Sequence, residues 1–147
     1  MVTYAVYDEI NSSFSQPLFL VTEEDLELKK LLWTQVFHVC HNPNNAEARQ
    51  IIIQKNFLKC LLIYLDVAQK DNPIVARWRP PQLLELQIHA LNIIGHLTDL
   101  IPQHIHEIGG HQVLAVFLKK YKDNSRRKAC MKAILSASRF EFFKVEF

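Results

Sequence analysis

The chain has 147 residues, 49% of them apolar and 22% charged, with a net charge of +2, which places it among single-domain globular proteins with room for a core and outside the disordered class. No run approaches roughly 18 uninterrupted apolar residues, so a membrane-spanning helix is not expected, and the opening MVTYAVYDEI has neither the basic start nor the apolar stretch of an export signal. Three cysteines, Cys40, Cys60 and Cys130, each sit inside an apolar helical pattern; an odd number so placed predicts reduced thiols in a cytoplasmic protein rather than a disulfide scaffold.

Residues 1–21 show no helical period and are broken by Asn11-Ser12-Ser13 and Pro17, which predicts an irregular lead-in before a repeat domain over 22–147. Thr22 with Asp25 three residues later forms a short-armed capping box. Leu28, Leu31, Leu32, Val36 and Val39 follow on one helical face, until Asn42-Pro43-Asn44-Asn45 stops the helix. A short helix over 46–55 carries Ile51, Ile52 and Ile53. Asn56 is expected to cap FLKCLLIYLDVAQ, and residues 72–81, with RWRPP, read as a loop. A long helix then runs from Pro81 to about Leu100, since proline suits a first turn. A short one opens at Pro102 and ends at Gly109-Gly110. Residues 111–121 and 126–137 are helical, and RFEFFKVEF starts a further short helix.

This order repeats. ELKKLLWTQVFHVC from Glu27 lies over ELQIHALNIIGHLT from Glu85, NFLKCLLIYL from Asn56 over GGHQVLAVFL from Gly109, and HALNIIGHL from His89 over KACMKAILS from Lys128. Residues 46–100 and 101–138 form two units of short, second and long third helix. They are flanked by the third helix of a preceding unit and the first of a following one. An apolar unit of this kind buries its faces only by stacking on its neighbours. The predicted fold class is therefore all-α, an armadillo-type right-handed helical solenoid of about two full repeats with partial flanking repeats. Its predicted core contains Leu32, Val36, Leu61, Leu65, Ala90, Ile94, Leu114, Leu118 and Ile134.

Solenoids of this class bind other proteins along an extended surface, and the residues give no competing chemistry. Among seven histidines, His104, His106 and His111 gather around the glycine joint and His38 and His41 flank Cys40. No Cys-x-x-Cys or His-Glu-x-x-His spacing accompanies them, so no metal is expected. No nucleophile motif, phosphate-binding glycine loop or paired carboxylates appear, so neither catalysis nor a cofactor is expected. Armadillo proteins of the importin type read peptides with a Trp and Asn ladder on successive third helices. Those positions here hold Thr34 and His38, Asn92 and His96, then Met131 and Leu135. The ladder is missing, which argues against that specificity, and Thr34, His38, Asn92 and His96 become the candidate partner contacts.

Charge is uneven: residues 1–71 hold six Lys/Arg against nine Asp/Glu, residues 72–147 eleven against six. Lys119, Lys120, Lys122, Arg126 and Arg127 face a single Asp123 and are a second candidate surface, for an acidic partner. Nucleic acid is not expected, because the motifs of sequence-reading modules are absent. Trp78 in RWRPP is either a partner anchor or a ring packed back on the repeat core. Phe142 and Phe143, with Phe140 and Phe147, crowd a short apolar end that is expected to dock on another chain or self-associate.

DLELKKLL from Asp25, a tryptophan-bearing loop, ELQIHA from Glu85 and the VLAVFL segment together resemble one region of the cilia- and flagella-associated protein 69 family. The resemblance covers roughly residues 22–118 and fades after Tyr121. It implies a non-catalytic structural component of the motile cilium or sperm-flagellar axoneme, at its central apparatus, with axonemal or cytoskeletal proteins as partners. The alternative is a general cytosolic armadillo adaptor.

Overall fold

The structure, a computed structural model, describes residues 22–140. Eight α-helices follow in order: α1 (Glu23–His41), α2 (Ala46–Gln54), α3 (Phe57–Leu65), α4 (Pro73–Ala76), α5 (Pro80–Thr98), α6 (Pro102–Glu107), α7 (Gly110–Lys120) and α8 (Asn124–Ala137), with one 3-10 turn at Val67–Gln69. No strand occurs among the described residues. The expected lead-in over 1–21 and the Phe-rich end, Phe142 and Phe143 included, lie outside them.

Local chemistry explains the boundaries. The Thr22 hydroxyl accepts from the Asp25 N–H at 3.1 Å and the Asp25 carboxylate accepts from the Thr22 N–H at 2.9 Å, so two of the donors a helix start leaves open are satisfied by side chains. Glu23, Glu24 and Asp25 place negative charge at the positive end of the helix dipole. At the opposite end Arg49 reaches back from α2, donating to the carbonyls of Cys40 (3.0 Å) and Asn42 (2.9 Å). Arg127 does the same for α7, donating to Leu118 O at 3.0 Å. In each unit a guanidinium thus satisfies the open carbonyls of the preceding helix.

The repeat is visible in the backbone. Asn56 and Gly109 occupy equivalent positions, and both adopt the left-handed conformation, at φ 58° and 76°. Asn56 was expected to cap α3 with its side chain, but makes no such bond; it serves as the hinge between first and second helix, which asparagine tolerates best after glycine. Equivalent positions of α1 and α5 also match in burial: Leu32 and Ala90, Trp33 and Leu91, Val36 and Ile94, Cys40 and Thr98 are all buried.

Residues 66–81 are more ordered than a loop. Asp66 caps the 3-10 turn through Ala68 N–H (3.0 Å), and Asn72 caps α4 through Ile74 N–H (3.0 Å), with Pro73 in the first turn. α3 accordingly ends at Leu65 instead of running towards Gln69. Ile74, Val75 and Trp78 then turn inward and are buried.

α5 is the spine, packed against α1, α3 and, most extensively, α8. There the helices approach so closely that a Cβ added at Gly95 would lie 3.3 Å from Ala133 Cα. The buried side of α8 is accordingly small: Ala129, Cys130, Ala133 and Ala137. This corrects the predicted core. Leu32, Val36, Leu61, Leu65, Ala90, Ile94 and Leu114 are buried as expected, whereas Ile134 and Leu118 are only half-buried. The neighbours Ala133 and Phe117 take the interior positions: at 133 the tight α5–α8 crossing admits a methyl group but not a branched side chain, and on α7 it is the face carrying Leu114 and Phe117 that turns to the core.

Candidate functional site

α1, α5 and α8 are the three third helices, and α5 lies between the other two. Two clefts run along their seams. The first, of 240 Å³, is lined by Lys30, Glu85, Ile88, His89 and Asn92 between α1 and α5. The second, of 550 Å³, lies between α5 and α8 and is lined by residues including Asn92, Gly95, His96, Lys132, Leu135 and Ser136. Asn92 borders both, so the clefts meet at its side chain. The missing ladder thus leaves a groove in place, but with different chemistry along it.

The four candidate contacts fall on this face and differ in freedom. Thr34 is half-buried: its hydroxyl donates to Lys30 O at 2.8 Å and lies 3.0 Å from His89 Nε2, which is itself 3.0 Å from the same carbonyl. With that carbonyl accepting, the His89 Nε2–H is shared between Lys30 O and the Thr34 oxygen, and the ring stacks on Trp33 at 5.9 Å and 6°. Thr34 is therefore held in the seam. His38, Asn92 and His96 are exposed. The His96 and His38 rings lie 5.1 and 5.5 Å from Phe37, with His41 at 5.1 Å, so one phenylalanine gathers three imidazoles at the α1–α5 edge.

Trp78 does not stand out as an exposed anchor. Its ring is 4% exposed, and it lines a separate 520 Å³ cleft with Tyr64, Pro80, Pro81 and Tyr121. The cause is the α4 turn, which places Ile74, Val75 and Trp78 together on the core. The basic run also divides. The Arg126 guanidinium meets Asp123 at 2.7 Å, donates to Gln87 Oε1 at 3.1 Å and lies 4.0 Å from the Tyr121 ring centre, while Arg127 closes α7. Both arginines are built into the fold. Lys119, Lys120 and Lys122 are exposed and enter no ion pair among the described residues.

Two of the three thiols are buried. Burial pushes Cys40 and Cys130 up to about 11, so both stay protonated near neutral pH and have little nucleophilic character. Cys130 Sγ donates to Leu114 O at 3.3 Å. The His106 and His111 rings stack at 4.9 Å, but no group of three His, Cys, Asp or Glu side chains suited to a metal ion occurs among the described residues. No helix among them is long and apolar enough to cross a membrane.

Burial lowers the pKa of His89 and of His104 below the ordinary 6.5, against the opposing hydrogen bond to Lys30 and charge of Glu107 respectively. The neutral rings are favoured in the fold, so below pH 6.5 the unfolded chain binds protons that the folded one resists. Stability from this source is complete above the unfolded value and falls as pH drops through it towards the lower folded values. The melting temperature is expected to decline between pH 7.5 and 5, and His104→Gln to make that decline shallower. An unchanged slope in the variant would exclude His104 as a contributor.

Stacked helical units with a groove along their third helices define an armadillo-type repeat domain. The family model described as cilia- and flagella-associated protein 69, ARM repeat, matches residues 1–139, and the chain belongs to that family. Cilia- and flagella-associated protein 69 of Callithrix jacchus is 25% identical over 122 residues, covering 81% of this chain and 12% of that protein. The chain therefore spans about an eighth of its relative's length. The family is one of repeat proteins not known for catalysis.

Proposed function

We propose that the chain is a non-catalytic protein-interaction scaffold of the motile cilium or sperm flagellum, a structural component of the axoneme at its central apparatus. Its partners on this reading are axonemal or cytoskeletal proteins, met on the third-helix face. The observation that carries the reading is the pair of clefts that share Asn92 on the third-helix face, on a fold of the cilia- and flagella-associated protein 69 family. Asn92 and His96 are exposed on α5, His96 with its ring against Phe37, while the same helix buries Ala90, Leu91, Ile94 and Leu97 behind them. An extended ligand laid across that face reaches all three third helices without disturbing the interior.

The tagged chain, expressed in multiciliated cells, is expected to remain with the axoneme after detergent extraction. Asn92→Arg with His96→Gln should abolish that retention while leaving the melting temperature within about 3 °C, since both positions are exposed and glutamine adds no negative charge at the C-terminal end of α5. Uniform cytosolic staining of the unaltered chain would instead favour a general cytosolic armadillo adaptor. Retention undiminished in the double variant would remove this face as the contact.

A further inference from the structure

The inference rests on the third-helix face being the partner surface. We infer that its α5–α8 half takes an acidic peptide segment carrying apolar side chains.

The outward stripe of α8 consists of Lys128, Met131, Lys132 and Leu135, at steps of three and four residues that bring them to one side. The opposite side is the alanine row that packs on α5. Leu135 is 62% exposed and Met131 44%, so two apolar side chains stand on the face of α8 turned away from the core. Leu135 and Lys132 both line the 550 Å³ cleft, facing Asn92 and His96 across a floor made shallow by Gly95 and Ala133. An apolar side chain set into this cleft meets Leu91, Ala133 and Leu135. The Asn92 amide and Ser136 hydroxyl are beside it to hydrogen-bond a peptide backbone.

The charge around the α5–α8 cleft is one-sided once internal pairs are removed. Glu85 lies 3.8 Å from Lys30, which also meets Glu27 at 3.3 Å. Asp99 is paired with Arg139, and Asp123 with Arg126. The two carboxylates at the α5–α8 end, Asp99 and Asp123, are thus each matched by an arginine, whereas Glu27 and Glu85 share the one charge of Lys30 and leave a net negative charge at the α1–α5 end. Lys128 and Lys132 are exposed and enter no ion pair among the described residues, and Lys119, Lys120 and Lys122 add the same sign where α7 leads into α8. A ligand that complements this surface carries negative charge beside its apolar groups. The observations favour a peptide over a nucleic acid. The forked guanidiniums that pair best with phosphate are engaged internally at Arg126 and Arg127, and the cleft is walled by aliphatic side chains, without the aromatic platform on which bases stack.

Fluorescence anisotropy of the full chain tests this with four labelled probes: a Glu-Leu-Met peptide with apolar groups at helical spacing, its Gln-for-Glu and Lys-for-Glu counterparts, and a poly-dT oligonucleotide of equal charge. The acidic peptide is expected to bind, to weaken as salt is raised, and to lose about tenfold in affinity in Lys128→Glu/Lys132→Glu, a loss equal to two modest surface ion pairs. Leu135→Ser should weaken it separately, and both variants should melt with the parent. Equal binding of the Gln peptide that Asn92→Arg abolishes would overturn the acidic preference while leaving the face as a protein site. Tighter binding of poly-dT, lost in the same lysine variant, would overturn the inference in favour of nucleic acid. No peptide binding, or self-association in sedimentation that Leu135→Ser removes, would overturn it too, the second by making another copy of this chain the occupant. Axonemal retention of the unaltered chain is read independently, so its failure is distinguishable from each of these.

Discussion

Replacing Phe117 by alanine is expected to destabilise the chain by about 3–5 kcal/mol, the range for removing a buried phenylalanine ring. Phe117 is fully buried and packs its ring on Tyr121, with centroids 4.6 Å apart. Tyr121 in turn carries Arg126, which holds Gln87 of α5. The loss therefore reaches beyond one cavity, because the ring supports the polar link between the α7–α8 turn and the spine. Leu118→Ala is the informative comparison. Leu118 has the same helical environment but is half-buried, so its truncation should cost well under half as much. Urea denaturation of both variants measures this, and a Leu118→Ala loss equal to or greater than that of Phe117→Ala would contradict the register of α7.

At the α5–α8 crossing the danger is excess volume. Ala133→Leu is expected to cost about 1–3 kcal/mol or more, the usual penalty for forcing methylenes into a filled core. Ala133 is 1% exposed and its Cα is 3.3 Å from the place a Gly95 Cβ would take. The neighbouring change Ile134→Leu conserves volume at a half-buried site and should be close to neutral. Thermal melts followed by circular dichroism distinguish the two. The structural consequence matters for binding: a leucine at 133 pushes the third helices apart at the floor of the cleft, so groove binding should fall together with stability. A stable Ala133→Leu chain would show that the crossing has slack that the close Gly95 approach denies.

The order and approximate lengths of the helices were legible in the sequence except over 66–79, where a helix end, a 3-10 turn and α4 replace the expected longer helix and loop; the repeat that relates them was legible too. The causes are local. Thr22 with Asp25, Asn42-Pro43, Pro102 and Gly109 act through hydrogen bonds and dihedral limits within a few residues, whereas the apolar period names the buried face of α1 only in part: Leu32 and Val36 are inside, but Leu28 and Leu31 are exposed and Leu26, Trp33 and Cys40 complete the buried side. The superposition of Asn56 on Gly109 even carries the left-handed hinge, although the expected side-chain cap at Asn56 is absent. The positions of Asn92 and His96 on the shared face follow from the same register.

Tertiary structure alone decided which of two adjacent apolar residues goes inside, because that depends on how near the next helix comes. Period gives no measure of the α5–α8 distance, so Ala133 over Ile134 and Phe117 over Leu118 emerge only from packing. It also decided the fate of long polar and aromatic side chains: Trp78 buried behind the α4 turn, Arg126 and Arg127 drawn into the fold, Lys132 left lining the groove and Lys128 exposed one turn before it. A charge or a ring in a sequence carries no record of its partner, and these partners come from elements as far as 39 residues away, as in the bond from Arg126 to Gln87. Local rules determined the elements of this protein, and the surface they present to a partner was decided when those elements closed on one another.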